Sequence, residues 1–310
     1  MLPSTLKGPG WKSRLAEHAE EVTRGAGWAP YAVNSEVGRL KAVLLTWPGD
    51  ELAFDGPAAD ALMAAKPDLV AMRAEATEVA AFYTAFGVSV HWIRPVSAAP
   101  PNLIFARDLV FMTPEGAVLA RMASQQRAGE ERHAALALAQ AGVPVLATPR
   151  GAATFEGADV LWVRPDLVFV GLGNRTNEAG FVTIGRVLAD QGVRAMGVQL
   201  APTVQHLLGS MNLVDRDLAV TYDATPSLRA ALSEAGVRTL DFVDVPEVTQ
   251  ARSLNFVTVA PREIVMPAGS PRTRARLEEA GVRCHELRVD QYLRAEGALG
   301  CLTSVLSREA

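Results

Sequence analysis

The sequence predicts an α/β fold, a ring of five ββαβ blades closed around a central channel. Three observations carry that expectation. First, a Gly-Val pair recurs five times at intervals of roughly 50 residues, as Gly87-Val88, Gly142-Val143, Gly192-Val193, Gly236-Val237 and Gly281-Val282. Second, each pair follows an amphipathic helix pattern and opens a short apolar segment; glycine accepts the left-handed backbone that ends a helix, and valine starts a strand. Third, a strand-turn-strand pattern, with Pro and Asp at the turn, comes before each next helix. A unit of this size does not bury its own apolar face and packs against copies of itself, and so few copies close most economically into a ring.

Residues 1–35 stand outside the repeat and read as an N-terminal arm lying on the ring, with a helical stretch at Lys12–Arg24 between Trp11 and Trp28; residues 36–310 read as one catalytic domain. Repeat one runs from a strand at Arg39–Thr46 through Trp47-Pro48-Gly49 to a helix at Leu69–Phe86. Repeat two has Asn102–Met112, a turn at Pro114, Ala117–Arg121 and the helix Glu130–Ala141. Repeat three has Asp159–Val163, a turn at Pro165, Leu167–Gly171 and the helix Ala179–Gln191. Repeat four has Met211–Val214, Leu218–Tyr222 and the helix Pro226–Ala235. Repeat five has Leu254–Val259, Glu263–Met266 and the helix Pro271–Ala280.

Composition narrows the function. With 310 residues, 49% hydrophobic and 21% charged, the chain suits a large core rather than disorder. A net charge of −4, with Lys and Arg interspersed among acids, argues against nucleic acid or an anionic membrane as partner. No apolar run approaches the roughly 20 residues of a membrane span, and Met1–Arg14 has no hydrophobic signal core, so a cytoplasmic protein with a small-molecule ligand is expected. Cys284 and Cys301 are too few for a disulfide framework, and no Cys/His spacing resembles a zinc site, so neither metal nor cofactor is expected. Self-association is left open.

Asp108, Asp159 and Asn255 each stand six residues ahead of a turn proline, so one polar position heads the first hairpin strand in three blades. In a ring such side chains converge near the axis, but the same residues suit buried backbone groups at each hairpin. Chemistry is therefore sought in what departs from the repeat. Cys301 follows Glu296-Gly-Ala-Leu-Gly after the last repeat, in a loop that leaves a thiol accessible. His206, at the entry to blade four, titrates in the range a thiol nucleophile needs from a proton-transfer partner. Glu156, three residues ahead of Asp159, is a carboxylate able to fix the tautomer of a histidine. Arg107-Asp108 sits in the apolar run Asn102-Leu-Ile-Phe-Ala, where a charged pair is costly unless it binds something, and an acid facing the axis suits a cationic ligand.

Taken in order, Asn102-x-x-Phe105-x-Arg107-Asp108, Glu156-Gly-Ala-Asp159, Gly173-Asn-Arg175-Thr-Asn177, His206-Leu and Gly300-Cys301-Leu-Thr-Ser-Val-Leu resemble the pentein superfamily of guanidine-modifying enzymes, from about Ser35 to the C-terminus. That superfamily includes arginine deiminases, dimethylarginine dimethylaminohydrolases and amidinotransferases. The resemblance implies a five-bladed propeller with its active site in the central channel. It implies Cys301 as nucleophile, His206 as general acid/base, Glu156 as its orienting carboxylate and Asp108 as guanidinium anchor. By similarity, Arg127 and Arg175 would hold a substrate α-carboxylate, Asn102 would meet its amino group, and Asp159 would be scaffold.

Two departures shape the expected substrate. Arginine deiminases carry a second guanidinium carboxylate two residues after the histidine, where this chain has Leu208, an apolar wall resembling that of the dimethylarginine hydrolases. Arg107 before Asp108 is instead the arginine-deiminase form. The leading expectation is a hydrolase of a substituted guanidine, an Nω-methylated arginine giving citrulline and an alkylamine through a thiouronium adduct. An amidinotransferase or arginine deiminase using the same pair is the alternative, and a non-catalytic binding ring is a third reading.

Overall fold

The computed structural model describes residues 1–95, 97–243 and 245–309; Ala310, the last residue of the expected domain, lies outside them. The strands are β1 (Leu40–Thr46), β2 (Ser89–Ile93), β3 (Val110–Thr113), β4 (Gly116–Leu119), β5 (Val145–Ala147), β6 (Val160–Arg164), β7 (Leu167–Leu172), β8 (Arg194–Gln199), β9 (Met211–Asp215), β10 (Leu218–Thr221), β11 (Arg238–Asp241), β12 (Val257–Ala260), β13 (Glu263–Pro267), β14 (Arg283–Leu287) and β15 (Ser304–Arg308). They form five separate three-stranded sheets, each an antiparallel pair extended by a parallel third strand. The helices Leu69–Ala85, Glu131–Gln140, Glu178–Asp190, Pro226–Glu234 and Pro271–Glu279 each link a middle strand to its parallel neighbour, so the unit is ββαβ.

The helix endings explain the repeat. Gly87, Gly142, Gly192, Gly236 and Gly281 all have φ between 72° and 80°. The amide of the following valine donates to the carbonyl five residues back in every copy, at 2.9 to 3.0 Å, onto Tyr83, Leu138, Leu188, Leu232 and Leu277. Each valine is buried beside that acceptor, which is the hydrogen bond and apolar contact of a Schellman ending. Helix starts are individual: Asp68, Asn177 and Thr225 accept from backbone amides three residues on.

Burial orders the strands radially. Strands β3, β6, β9, β12 and β15 are buried almost throughout, whereas β2, β5, β8, β11 and β14 are largely half-buried or exposed. The first group lines the axis. Adjacent blades lock through apolar contacts such as Trp162, which stacks on Phe111 at 5.8 Å between centroids and donates its Nε1–H to the Met112 carbonyl at 3.0 Å.

Three expectations are corrected. Repeat one has no local hairpin: its inner strand is β15, paired antiparallel with β1 through Leu40↔Arg308 and Val43↔Val305, so the two ends of the chain close the ring. Residues 102–109 and 254–256 are not strand but, for the first, two 3-10 turns (Pro101–Ile104 and Ala106–Leu109) ahead of β3, and Asp159 likewise ends the turn Gly157–Asp159; a buried apolar run reads the same in either conformation. The helix of the arm is His18–Arg24 and not Lys12–Arg24. Beyond that helix, Ala29 donates to the Gly142 carbonyl at 2.9 Å and the Ala32 carbonyl accepts from the Arg308 amide at 3.2 Å.

Candidate active site

The segments that lead into the inner strands meet at one end of the axis, around a cavity of about 440 Å³. Asp108 enters from the turn before β3, His206 from the residue before the short helix Leu207–Ser210, Asn255 from just before β12, and Cys301 from the short helix Leu299–Leu302 that leads into β15. Glu156 lies behind His206, fully buried. Close approach demands glycine next to the thiol: a Cβ at Gly300 would lie 2.9 Å from Asn255 Oδ1.

His206 Nε2 lies 2.7 Å from Glu156 Oε2, and its Nδ1 faces Asp108 Oδ1 at 3.9 Å. The second oxygen of Glu156 accepts from the Ala123 amide at 3.1 Å and from Arg175 Nη1 at 3.3 Å. Burial works against both charges of the His–Glu pair, but the opposite charges prevail. The Asp108, Asp159 and Glu156 carboxylates and the bond to Glu156 push the imidazole up to about 9, while the His206 bond and charge, with Arg127 and Arg175, hold Glu156 well below the ordinary carboxylate range. His206 is therefore an imidazolium at neutral pH. Burial and the charge of Asp108 push the Cys301 thiol up, opposed by hydrogen bonds and by Arg252.

The structure brings Cys301, His206, Glu156, Asp108, Arg175, Asn102 and Leu208 to this one site, and adds detail that the sequence did not. Asn255 holds Cys301 at both ends, accepting from its amide at 3.0 Å and donating Nδ2 to Sγ at 3.0 Å. The repeat leaves its position open between facing the axis and serving buried backbone groups. Asn102 gives its Nδ2 to the Ala61 carbonyl, leaving its amide oxygen for any other partner. Arg127 is almost fully buried and already engaged: Glu130 takes its Nε and Nη2 at 3.0 and 2.8 Å, and Asp108 Oδ2 takes Nη1 at 2.6 Å. In this geometry it holds the Asp108 carboxylate, and the less buried Arg175 is the arginine better placed to meet an anion in the cavity. Glu130, whose burial pushes it up to about 7, was not singled out by sequence; only its spacing of three from Arg127 signals the pair.

Arg107 points away from the cavity, toward Glu36 at 3.2 Å and the Val160 carbonyl at 3.3 Å. Its identity therefore does not bear directly on the substrate. Four residues with left-handed backbone, Leu62, Asp223, Arg252 and Glu296, line the cavity, and Arg252 pairs with Glu296. Strain of this kind gathers at binding sites. Asp108, Glu156 and His206 also bring ligand atoms within 4.8 Å of one another, as a metal would require. However, Arg127 Nη1 stands 2.6 Å from one carboxylate and 3.6 Å from the other, so a guanidinium already neutralises that space.

Fold and site together define a five-bladed ββαβ ring with a Cys–His–Glu constellation at its axis. Residues 94–231 match the family model described as arginine deiminase. An arginine deiminase of Rhodococcus erythropolis is 27% identical over 246 residues, 67% of this chain and 60% of that one. Among solved structures, the dimethylarginine dimethylaminohydrolase of Pseudomonas aeruginosa in complex with citrulline superposes with a TM-score of 0.72 at 21% identity, over 87% of this chain and 100% of that one. An amidinotransferase of Microseira wollei superposes with a TM-score of 0.73 at 16% identity, over 91% of this chain and 98% of that one. The chain thus shares its fold with guanidine-modifying hydrolases and an amidinotransferase, and resembles arginine deiminases in sequence, which is consistent with the pentein superfamily.

Proposed function

We propose that this protein is a cysteine-dependent hydrolase of a substituted guanidine, acting on an Nω-methylated arginine to give citrulline and an alkylamine. The observation that carries this reading is Asp108 Oδ1. It is buried, has no hydrogen-bond partner, and belongs to a side chain lining the cavity that Cys301 and His206 share. A buried bare carboxylate oxygen is costly, and the N–H groups of a guanidinium supply what it lacks. A cavity of about 440 Å³ suits a molecule the size of arginine.

The charges support a sequence of steps. At rest the thiol is neutral and the imidazole protonated. An arriving guanidinium offsets the Asp108 field that holds the thiol up, and so favours the thiolate, its proton leaving to solvent. The thiolate adds to the central carbon, and His206 gives its proton to the departing amine. The adduct is then a planar thiouronium. Water, losing one proton to the now neutral His206, attacks its carbon; collapse of that adduct expels the Cys301 thiolate and releases the second proton to solvent, leaving the neutral ureido product.

Leu208 lines the cavity and is the feature that favours an alkylated nitrogen over a bare one. The test is incubation with mono- and dimethylarginine, arginine and guanidino acids, assaying ureido product and released amine, with Cys301→Ala alongside. We expect methylarginines to be turned over fastest. Arginine as the preferred substrate would move the reading to a deiminase, product formed only when an amine is added would move it to an amidinotransferase, and no product from any compound would sink the enzymatic reading.

A further inference from the structure

A second chamber of about 20 Å³ shares Leu208 with the first cavity and is lined by Gly300 as well. Every residue around it is buried, and its charged side chains are Arg107, Arg308 and Glu36. The three come from different parts of the ring: Arg107 precedes β3, Arg308 ends the closing strand β15, and Glu36 lies just ahead of β1.

The charges do not balance. Glu36 accepts from Arg107 Nη2 at 3.2 Å and from the Trp162 amide at 3.3 Å. Arg308 has no carboxylate partner among the described residues; its Nη1 donates to the Gly38 and Thr258 carbonyls at 2.7 Å each. The Nε–H groups of Arg107 and Arg308 are both buried without an acceptor. Two guanidiniums against one carboxylate leave a surplus positive charge, with two orphaned donors, inside a ring of apolar strands. An unpaired buried charge and unsatisfied donors each cost free energy, and one negatively charged acceptor answers all three deficits. Burial, with Arg107 nearby, pulls the Arg308 guanidinium down to about 10.

We propose that this chamber binds a single monatomic anion, chloride under ordinary conditions, which bridges Arg107 and Arg308 and so fastens the closing strand to blade two. A chamber of about 10–15 Å³ holds one water-sized particle, so this one admits a small ion and excludes sulfate or a carboxylic acid. Water would satisfy the donors but leave the charge. Because an anion that binds only the closed ring stabilises it by mass action, melting should depend on chloride concentration and saturate.

The test uses the intact protein. Crystals grown with bromide in place of chloride should show an anomalous peak within hydrogen-bond distance of both arginine side chains. At constant ionic strength, the melting temperature should rise by several degrees as gluconate is exchanged for chloride, and Arg308→Met should lose that dependence. A water in the chamber with no bromide peak, or equal melting in chloride and gluconate, would overturn the proposal. If Arg308→Met does not fold, the bromide and gluconate measurements on the unaltered chain still decide.

Discussion

Asp108 and Asp159 occupy the same position at the heads of neighbouring blades, and both are buried. Asp159 is answered on both oxygens, by the Thr176 hydroxyl at 2.6 Å and the Leu207 amide at 3.0 Å. Asp108 is answered on one, by Arg127, while its other oxygen accepts no hydrogen bond and only faces His206 Nδ1 at 3.9 Å. The repeat therefore supplies a carboxylate twice, and what separates scaffold from site is the acceptor left open. Asn255, third in the series, shows another use of the position, with its amide turned on the nucleophile.

The contrast can be broken by substitution. Asp108→Asn should lower kcat/KM by about 100-fold or more, because a charge-assisted pair to substrate is lost, and should lower melting as well, because the buried Arg127 loses a charged partner. Asp159→Ala should act on stability with little effect on chemistry, costing about 1–3 kcal/mol by stranding the Leu207 amide, with a much smaller loss of turnover per folded molecule. Equal loss of turnover in two well-folded variants would erase the distinction.

Asn255→Ala should slow turnover by about tenfold and move alkylation of Cys301 by iodoacetamide to higher pH, since the Asn255 bond favours the thiolate. His206 sets the alkaline limit. Its pKa is raised to about 9, so the proton needed by the leaving amine is present below that pH and lost above it, and adduct formation should fall as pH rises past about 9. Glu156→Gln should shift that limb to lower pH. The smallest effect is expected at a repeat glycine: Gly236→Ala meets no neighbouring atom but keeps φ at 72°, and should cost about 1 kcal/mol with activity intact.

Local features of the fold were legible because they are written within a few residues of one another. The five glycines, the helices before them and the hairpin turns all follow from short-range chemistry. The pairing of β1 with β15 was not legible, because its partners lie at opposite ends of the chain and repeat one simply looked short of a strand. The turns holding Asn102 and Asp108 were hidden by an apolar run that fits strand equally well. Within the site, Cys301, His206 and Glu156 stood out by departing from the repeat. Asn255 did not, because it obeys it, and Arg252 and Glu296 sit in sequence that looks like ordinary surface until the fold sets them beside the cavity.

The closing strand has a kinetic consequence. Cys301 lies in the short helix that feeds β15, so the most non-local pairing in the ring also delivers the thiol to the cavity. Contacts between distant segments form late, because the loop must close before they stabilise anything. During refolding, helix content should therefore return ahead of a thiol in its final surroundings, and fraying of β15 alone should silence the site while four blades stay intact. A half-closed ring would, on this reading, be a disarmed one.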